Sequence, residues 1–555
     1  MQTNPWRSRK IHYPVLLIIL LAGGICRFYN LSWDDGYNYH PDEMNITAAV
    51  SRIAIPHQLD PDFFAYNGFP LYLYRATAQL ASAVTGDPSW TGSWSRIALI
   101  GRLLSALFST LSIYLVYRIG KKAISETGAL LAGFLTAVSV GLLQAAHYGV
   151  TESLLLFLLL ALSALALHAV QAKTFIPRHW YAMSLLCGVA MGTKSSAILF
   201  LTVPATAGAL LMYRERNPGI LWRAIPLFLA AFAVFVLVSP FSILKFSAFT
   251  DTMRYESNVV WGRVQVPYTL QFQGTLPYWF FFKNLHWHAG LIIPAAGFLG
   301  ILMWVTAIAR RKESVDALPL LLFAMVYWIY VGSWYAKFIR YTVLLLPFLI
   351  LGTCRLFDRM LDHSRMRPLA VIITVFTLIT TALWALIFMS IYRSPATRTA
   401  ASHWIYEHIP PQSVILREHW DYGLPVHLAG RETPPFRFVT MNNYDADTDA
   451  KMQSMSGMLA EGDYLIVASR RLSGTIGRAQ DQYPLTSGYY RKLFAGLLGY
   501  VPVRKFASYP ALWGMEINDD GAEETFQVFD HPVVQIFKNS ERLPAARILA
   551  LLKEP

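Results

Sequence analysis

Charge is what this sequence has least of. Asp, Glu, Lys and Arg make up 15% of its 555 residues, against roughly a quarter in a soluble chain. A string of ordinary soluble domains is therefore excluded. Cysteine is nearly missing too. Cys26, Cys187 and Cys354 all fall in or beside apolar runs and show no CxxC spacing. Neither a disulfide framework nor a cysteine metal site is expected. There is no Walker loop, dinucleotide fingerprint or Ser-His-Asp signature, and no nucleic-acid-binding motif. The first apolar run has no small-residue cleavage site and reads as a retained anchor.

Hydrocarbon fills the chain instead. Hydrophobic residues reach 55%, and mean hydropathy is +0.38. Runs near the roughly 20 residues that cross a bilayer core lie at 13–31, 96–118, 128–147, 153–171, 181–193, 197–213, 224–244, 289–309, 318–334, 341–356 and 369–392. From Arg393 onward, polar and charged spacing becomes ordinary. The expected architecture is an α-helical polytopic membrane domain of about eleven spans over residues 1–392, followed by a soluble α/β domain over 393–555.

The net charge of +13 is explained by topology. Basic residues gather in alternate loops: Arg7, Arg9 and Lys10; Lys121 and Lys122; Lys173 and Arg178; Arg214, Arg216 and Arg223; Arg310, Arg311 and Lys312; Arg355, Arg359, Arg365 and Arg367. The positive-inside rule makes that side cytoplasmic. Keeping every basic loop on it requires the 181–213 stretch to turn back at Lys194-Ser195-Ser196 as two short helices. The protein then sits in the plasma membrane with its N-terminus inside and its C-terminal domain outside. Loops 32–95 and 245–288, and turns near Glu152, Lys194 and Arg340, face the outer side. Long external loops often carry function.

Those outer segments hold the candidate chemistry. Tyr39-His40-Pro41-Asp42-Glu43 opens a short helix, with Pro41 at its first position. Its acids also complement the helix dipole. Glu152 starts the fourth span, where it can serve as a cap. Lys194 lies in an external turn against the charge bias, and Lys337 and Arg340 share another. Cations so placed suit an anionic headgroup, though lysines also snorkel to interfaces. Loop 245–288 is rich in aromatics and amides, among them Gln271 and His286. Such a surface fits a carbohydrate, and membrane-lying amphipathic helices look similar. His286 and His288 are two apart, a poor metal spacing on a helix.

Taken together, His40-Pro41-Asp42-Glu43 after the first span resembles the acidic motif of polyprenyl-phosphate-sugar-dependent glycosyltransferases with the GT-C fold. The resemblance is to protein O-mannosyltransferases and aminoarabinose transferases, and to bacterial family-39-like members. Asn67-Gly68-Phe69-Pro70-Leu71-Tyr72 resembles the family's Pro-Pro-Leu-Tyr stretch, with Phe69 in place of the first proline. Glu152-Ser153-Leu154-Leu155 resembles the second acidic motif, and Gly192-Thr193-Lys194 the Thr-Lys motif. Lys337–Tyr341 resembles the Arg-Tyr turn entering a late span.

The resemblance implies transfer of a sugar from a polyprenyl-phosphate donor to an envelope acceptor (protein, lipid or glycan) by inverting displacement. Asp42 is the expected base, with Glu43 and Glu152 assisting. Lys194, Arg340 and Lys337 would bind the donor phosphate, and His40, Tyr72, Gln271 and His286 would contact substrate. A divalent cation, Mg2+ or Mn2+, held by Asp42 and Glu152 is compatible with this set, without a dedicated ligand cluster. The competing class, a lipid-linked-sugar flippase, calls for ionisable residues at mid-span and repeated halves, and the sequence shows neither.

In the C-terminal domain, 396–408, 489–495 and 541–553 read as helices, and 414–417 and 464–468 as strands. Thr525–Phe529 and Val533–Phe537 read as a hairpin around Asp530-His531-Pro532.

Overall fold

The structure, a computed structural model, describes residues 9–432 and 434–554. Arg7 lies outside them. The chain divides into two compact units. One comprises Met1–Leu31, His40–Ser257 and Pro277–Met389; the other comprises Ser32–Tyr39, Asn258–Leu276 and Ser390–Pro555.

The first unit is helical. A helix underlies each expected span: Arg9–Phe28, Trp94–Ala123, the bent pair Glu126–Ala137 and Val140–Ala146, Glu152–Gln171, Pro177–Thr193, Thr202–Glu215, Gly219–Val238, Ile293–Ala309, Leu318–Gly332, Leu346–Asp362 and Arg367–Phe388. Among the described residues, five stretches are long and apolar enough to cross a membrane alone, and seven if each bent pair is one span.

The bend of 53° after Ala137 frees carbonyls inside apolar surroundings, where an unpaired polar group is costly. Arg27 meets them. Its guanidinium donates to Thr136 O at 2.9 Å, Ala137 O at 2.8 Å, Gly23 O at 3.0 Å and Ser109 Oγ at 2.7 Å. The broken helix and the buried cation thus satisfy each other. Elsewhere small residues set the spacing between helices. A Cβ on Gly300 would lie 2.0 Å from Gly352 O, so Ile293–Ala309 and Leu346–Asp362 meet backbone to backbone.

The expected reversal at Lys194 is present. Pro177–Thr193 ends at an extended Lys194 (φ −154°, ψ 133°), and a 3-10 turn, Ser195–Leu201, leads into Thr202–Glu215. Arg214 Nη1 donates to Val170 O at 2.9 Å, and Glu215 Oε1 accepts from Phe175 N at 2.9 Å. The end of the return helix therefore lies beside the start of the outgoing one. The span expected from residue 289 differs. It starts at Ile293, and Trp279–Ala289 before it turns away by 114°. Gly290, at φ +83°, makes that corner.

The second unit is built on a five-stranded sheet. Its strands are β1 (Val414–Glu418), β2 (Arg437–Met441), β3 (Tyr464–Val467), β4 (Tyr500–Phe506) and β5 (Val534–Asn539). Their order is β2-β1-β3-β5-β4, with β1 parallel to β2 and β3, and β5 antiparallel to β3 and β4. Leu416, Leu465 and Phe537 form its core with Met455, Leu459 and Tyr489. Two loop segments expected in the membrane domain belong to this unit. Tyr39 Oη bonds Thr399 Oγ1 at 2.8 Å, and Gln271 Nε2 donates to Glu524 Oε2 at 3.0 Å.

The expected hairpin around Asp530-His531-Pro532 is a correction. Glu524–Phe526 is a 3-10 turn, and only Val534–Asn539 is a strand. Asp530 and His531 are buried instead of forming an exposed turn. His531 binds Asp530 at 2.5 Å and Asp519 at 2.6 Å, and Tyr392 Oη donates to Asp530 at 2.9 Å. The last helix begins after Pro544, at Ala545. Sequence reading missed β2, β4 and the Asp449–Glu461 helix.

Glu418 closes β1 in the buried interior. Its Oε1 accepts from Tyr490 Oη at 2.5 Å and Asn443 Nδ2 at 2.9 Å, while Oε2 has no partner among the described residues. Burial pushes its carboxyl up to about 8, and Asp421 adds to the rise against the two donors. The unfolded carboxyl titrates near 4.3. Between these values the native state holds a proton that the unfolded state has lost. This contribution to stability is complete at acid pH and falls as pH rises toward 8, by up to about 1.4 kcal/mol per unit. Glu418→Gln should flatten that slope in denaturant unfolding of the full chain. An unchanged slope would place the titrating group elsewhere.

Candidate active site

The site grows from the start of the Pro41–Arg52 helix. Pro41 takes the first position, and His40 is the N-cap, its Nδ1 accepting from Asp42 N at 3.2 Å. The His40 ring tilts against Tyr148 at 4.7 Å. Asp42 and Glu43 are consecutive on a helix, so their side chains diverge. They meet different partners.

Glu43 turns into the bundle and is 0% exposed. Its carboxylate accepts from Arg102 Nε at 2.7 Å, Arg102 Nη2 at 2.5 Å and Gly149 N at 2.7 Å. Arg102 Nη1 also donates to Leu31 O at 2.8 Å. Glu43 thereby fastens the site helix to Trp94–Ala123 and to the turn before Glu152. The clamp needs Gly149, where a Cβ would meet Glu43 Oε1 at 2.8 Å, and Gly101, where one would meet Gly149 Cα at 2.9 Å. The residue expected beside Asp42 in the chemistry thus sits behind it, in a structural clamp.

Asp42 faces outward and keeps about a quarter of its side chain exposed. It forms an ion pair with Arg340, and Tyr66 Oη donates to its Oδ2 at 3.0 Å. Partial burial would raise its carboxyl, but Arg340, His40, Tyr66 and Lys194 together hold it well below the usual carboxylate range. Burial likewise disfavours the Arg340 charge, and Asp42 with its neighbours more than restores it. Arg340 sits on the 3-10 turn Ile339–Thr342, over the rings of Phe338 at 5.2 Å and Tyr341 at 5.8 Å.

A second pair also lies near Tyr66. Lys194 Nζ lies 3.6 Å from Glu152 Oε1 and 5.3 Å from the Tyr66 ring centroid. Its backbone is pinned by the Asn67-Gly68 motif. Asn67 Nδ2 donates to Met191 O at 2.6 Å and Ser195 Oγ at 3.1 Å, and Gly68 N donates to Ser239 Oγ at 2.8 Å. Two carboxylate–cation pairs therefore share one tyrosine. Glu152 Oε2 and Arg340 Nε are buried without a hydrogen-bond partner among the described residues. One acceptor and one charged donor remain for a ligand.

The other expected residues fall outside this cluster. Lys337 is 2% exposed and donates to Tyr335 O at 2.9 Å, and burial brings its amine down to about 8. Tyr72 Oη donates to Leu59 O at 2.9 Å, and His286 Nδ1 bonds Lys283 O at 2.7 Å. Gln271 belongs to the second unit. Sequence reading missed Tyr66, although it directly precedes the Asn67 motif. It also missed Arg102, whose cue was a charge inside an apolar span. Glu256 was missed as well. Its carboxyl is raised by desolvation and by Asp42, with Lys194 and Arg340 opposing. His288, not His286, reaches the Arg340 turn, bonding Thr342 Oγ1 at 3.0 Å.

No three of His, Cys, Asp and Glu come together among the described residues as a metal would require. Asp42 and Glu152 are each committed to a basic side chain. As arranged, these residues do not form a metal cradle.

The chain resembles known proteins in part of its sequence and in its fold. A family model described as dolichyl-phosphate-mannose-protein mannosyltransferase matches residues 95–244. No curated relative matches by sequence. Among solved structures, the oligosaccharyltransferase of Archaeoglobus fulgidus tethered with an acceptor peptide superposes at TM-score 0.53, with 14% identity, over 96% of this chain and 89% of that one. The same enzyme in complex with an inhibitory peptide and a dolichol-phosphate gives 0.52 and 14%, over 92% and 76%. It has also been crystallised with Zn and sulfate. ArnT from Cupriavidus metallidurans bound to undecaprenyl phosphate gives 0.47 and 13%, over 83% and 93%. This chain has the GT-C fold. The family match spans the stretch carrying both Glu152 and Lys194.

The Glu43–Arg102 clamp carries a stability prediction. Removing one partner of a buried pair typically costs about 3–5 kcal/mol. Arg102→Met should lower the melting temperature of the detergent-solubilised protein sharply. The double variant Arg102→Met with Glu43→Leu should recover part of the loss. Equal melting of parent and Arg102→Met would show that the clamp bears no load.

Proposed function

We propose that this chain is an integral membrane glycosyltransferase that moves a sugar from a polyprenyl-phosphate donor to an envelope acceptor. The observation that carries this reading is the pairing of Asp42 with Arg340 and of Glu152 with Lys194 around Tyr66. Lys194 lies at the opposite end of its helix from the basic residue Arg178. On the positive-inside rule the cluster then faces the extracytoplasmic side, with the N-terminus cytoplasmic and the second unit outside the plasma membrane.

The reaction is a single displacement. An acceptor hydroxyl attacks the anomeric carbon, a new C–O bond forms, and the bond to phosphate oxygen breaks with its electron pair. The hydroxyl proton passes to Asp42, and configuration inverts. In the free protein Arg340 makes Asp42 a poor base, because the guanidinium stabilises the carboxylate. An arriving phosphate competes for that guanidinium, so donor binding itself raises the basicity of Asp42. Lys194 and Arg340 then face charge that grows on the leaving phosphate, and stabilise the transition state more than the ground state. Glu152 Oε2 is free to orient the acceptor. Glu43 and Asn67 act through others, as positioning residues. Lys337 is a further phosphate contact only after it gives up its bond to Tyr335.

A flippase would need ionisable groups distributed along a path through the bilayer. Here the two carboxylate–cation pairs instead converge on Tyr66 at helix starts and turns.

The test is transfer of labelled sugar from a polyprenyl-phosphate donor by the purified protein. Product of inverted configuration is expected. Asp42→Asn should lower kcat by about 10²–10⁴, and Arg340→Ala by about 10²–10³. Full transfer by both variants would overturn the site assignment. Failure with every polyprenyl-phosphate sugar, alongside an intact fold, would overturn the class.

A further inference from the structure

A second candidate binding place lies at the far end of the first unit, away from the Asp42 cluster. An apolar groove with a cavity volume of about 180 Å³ opens between the helices Pro177–Thr193, Thr202–Glu215 and Gly219–Val238. Its walls are almost wholly apolar, with Phe175 and Trp180 toward one end and Leu201 toward the other. Along the return helix it extends from Leu201 to Met212. At 1.5 Å per residue that is roughly 16 Å, close to one leaflet of a bilayer core about 30 Å thick.

Three features at the Phe175 end point to one occupant. Trp180 is 4% exposed, and its indole N–H has no hydrogen-bond partner among the described residues. A buried donor on a residue that lines an apolar groove calls for an acceptor oxygen. Arg223 stands over the Phe175 ring at 5.2 Å. Of the other charges nearby, Glu215 accepts from Phe175 N and Arg214 pairs with Asp316. Finally, Tyr213 and Trp222 are 79% and 74% exposed. Exposed aromatics of this kind mark the headgroup level of a membrane interface.

We infer that this groove binds a glycerophospholipid with an anionic headgroup, drawn from the leaflet beside the basic loops. One acyl chain would lie along the apolar groove, a headgroup or ester oxygen would accept from Trp180, and the phosphate would face Arg223. The donor lipid is a different molecule. Its phosphate belongs at Lys194, which is separated from Arg178 by about 24 Å of helix. It cannot stand at Arg223 at the same time. The inference uses only the charge-based orientation and does not depend on glycosyl transfer.

The test is native mass spectrometry of the full-length protein with phosphatidylglycerol or phosphatidylethanolamine of identical acyl chains. Phosphatidylglycerol should bind about fivefold more tightly, the effect of one basic group near the headgroup. Arg223→Gln, at an exposed position, should erase that preference and leave the fold intact. Gly208→Leu, whose Cβ starts 3.4 Å from the Trp180 ring, should reduce retention of both lipids, with melting temperature as the control for folding. Equal binding of the two lipids would overturn the proposal. So would a preference unchanged by Arg223→Gln, or displacement of phosphatidylglycerol by undecaprenyl phosphate.

Discussion

Everything in the candidate site turns on the ion pair between Asp42 and Arg340. About a quarter of each side chain is exposed, and the pair fixes the charge state of both partners. Asp42 is held as a carboxylate with low proton affinity, and Arg340 as a cation beside it. A phosphate is the ligand that alters this balance most, because it takes the cation and leaves the carboxylate free. In the proposed reaction the pair would link donor arrival to activation of the base. In the structure these charges are closed on each other.

The surrounding architecture keeps that pair in register. Glu43 is spent on Arg102 and Gly149, so the helix carrying Asp42 cannot rotate without breaking a buried salt bridge. Asn67 ties the loop carrying Tyr66 to the end of the Pro177–Thr193 helix, so Lys194 and Tyr66 move together. His288 reaches Thr342 on the turn that presents Arg340. Each reactive side chain is held from behind by a buried polar contact. This division between outer groups that face a ligand and inner groups that position them suits preorganised electrostatic catalysis.

Much of this was legible in the amino-acid order. The apolar runs located the helices because a bilayer demands length and continuous hydrophobicity. The alternating basic loops required a reversal at Lys194, and the Arg214–Val170 and Phe175–Glu215 contacts show that reversal. Asp42, Glu152, Lys194 and Arg340 were found because charges at the ends of apolar helices are conspicuous. The division of labour between Asp42 and Glu43 was not legible, since adjacent acids look alike until a buried arginine selects one. Tyr66 and Glu256 gave no signal of their own, being ordinary residues in polar loops. In the second unit, Asp530-His531-Pro532 has the composition of an exposed turn. Only the buried Asp519–His531–Asp530 network explains why it is not one.

The most direct test of the central claim is the affinity for a polyprenyl phosphate carrying no sugar, measured for the parent, Asp42→Asn and Arg340→Ala. If Asp42 and the phosphate compete for Arg340, Asp42→Asn binds at least as tightly as the parent while Arg340→Ala binds far more weakly. Comparable loss of affinity in both variants would contradict the account, because it would make Asp42 a part of the phosphate site and not its rival.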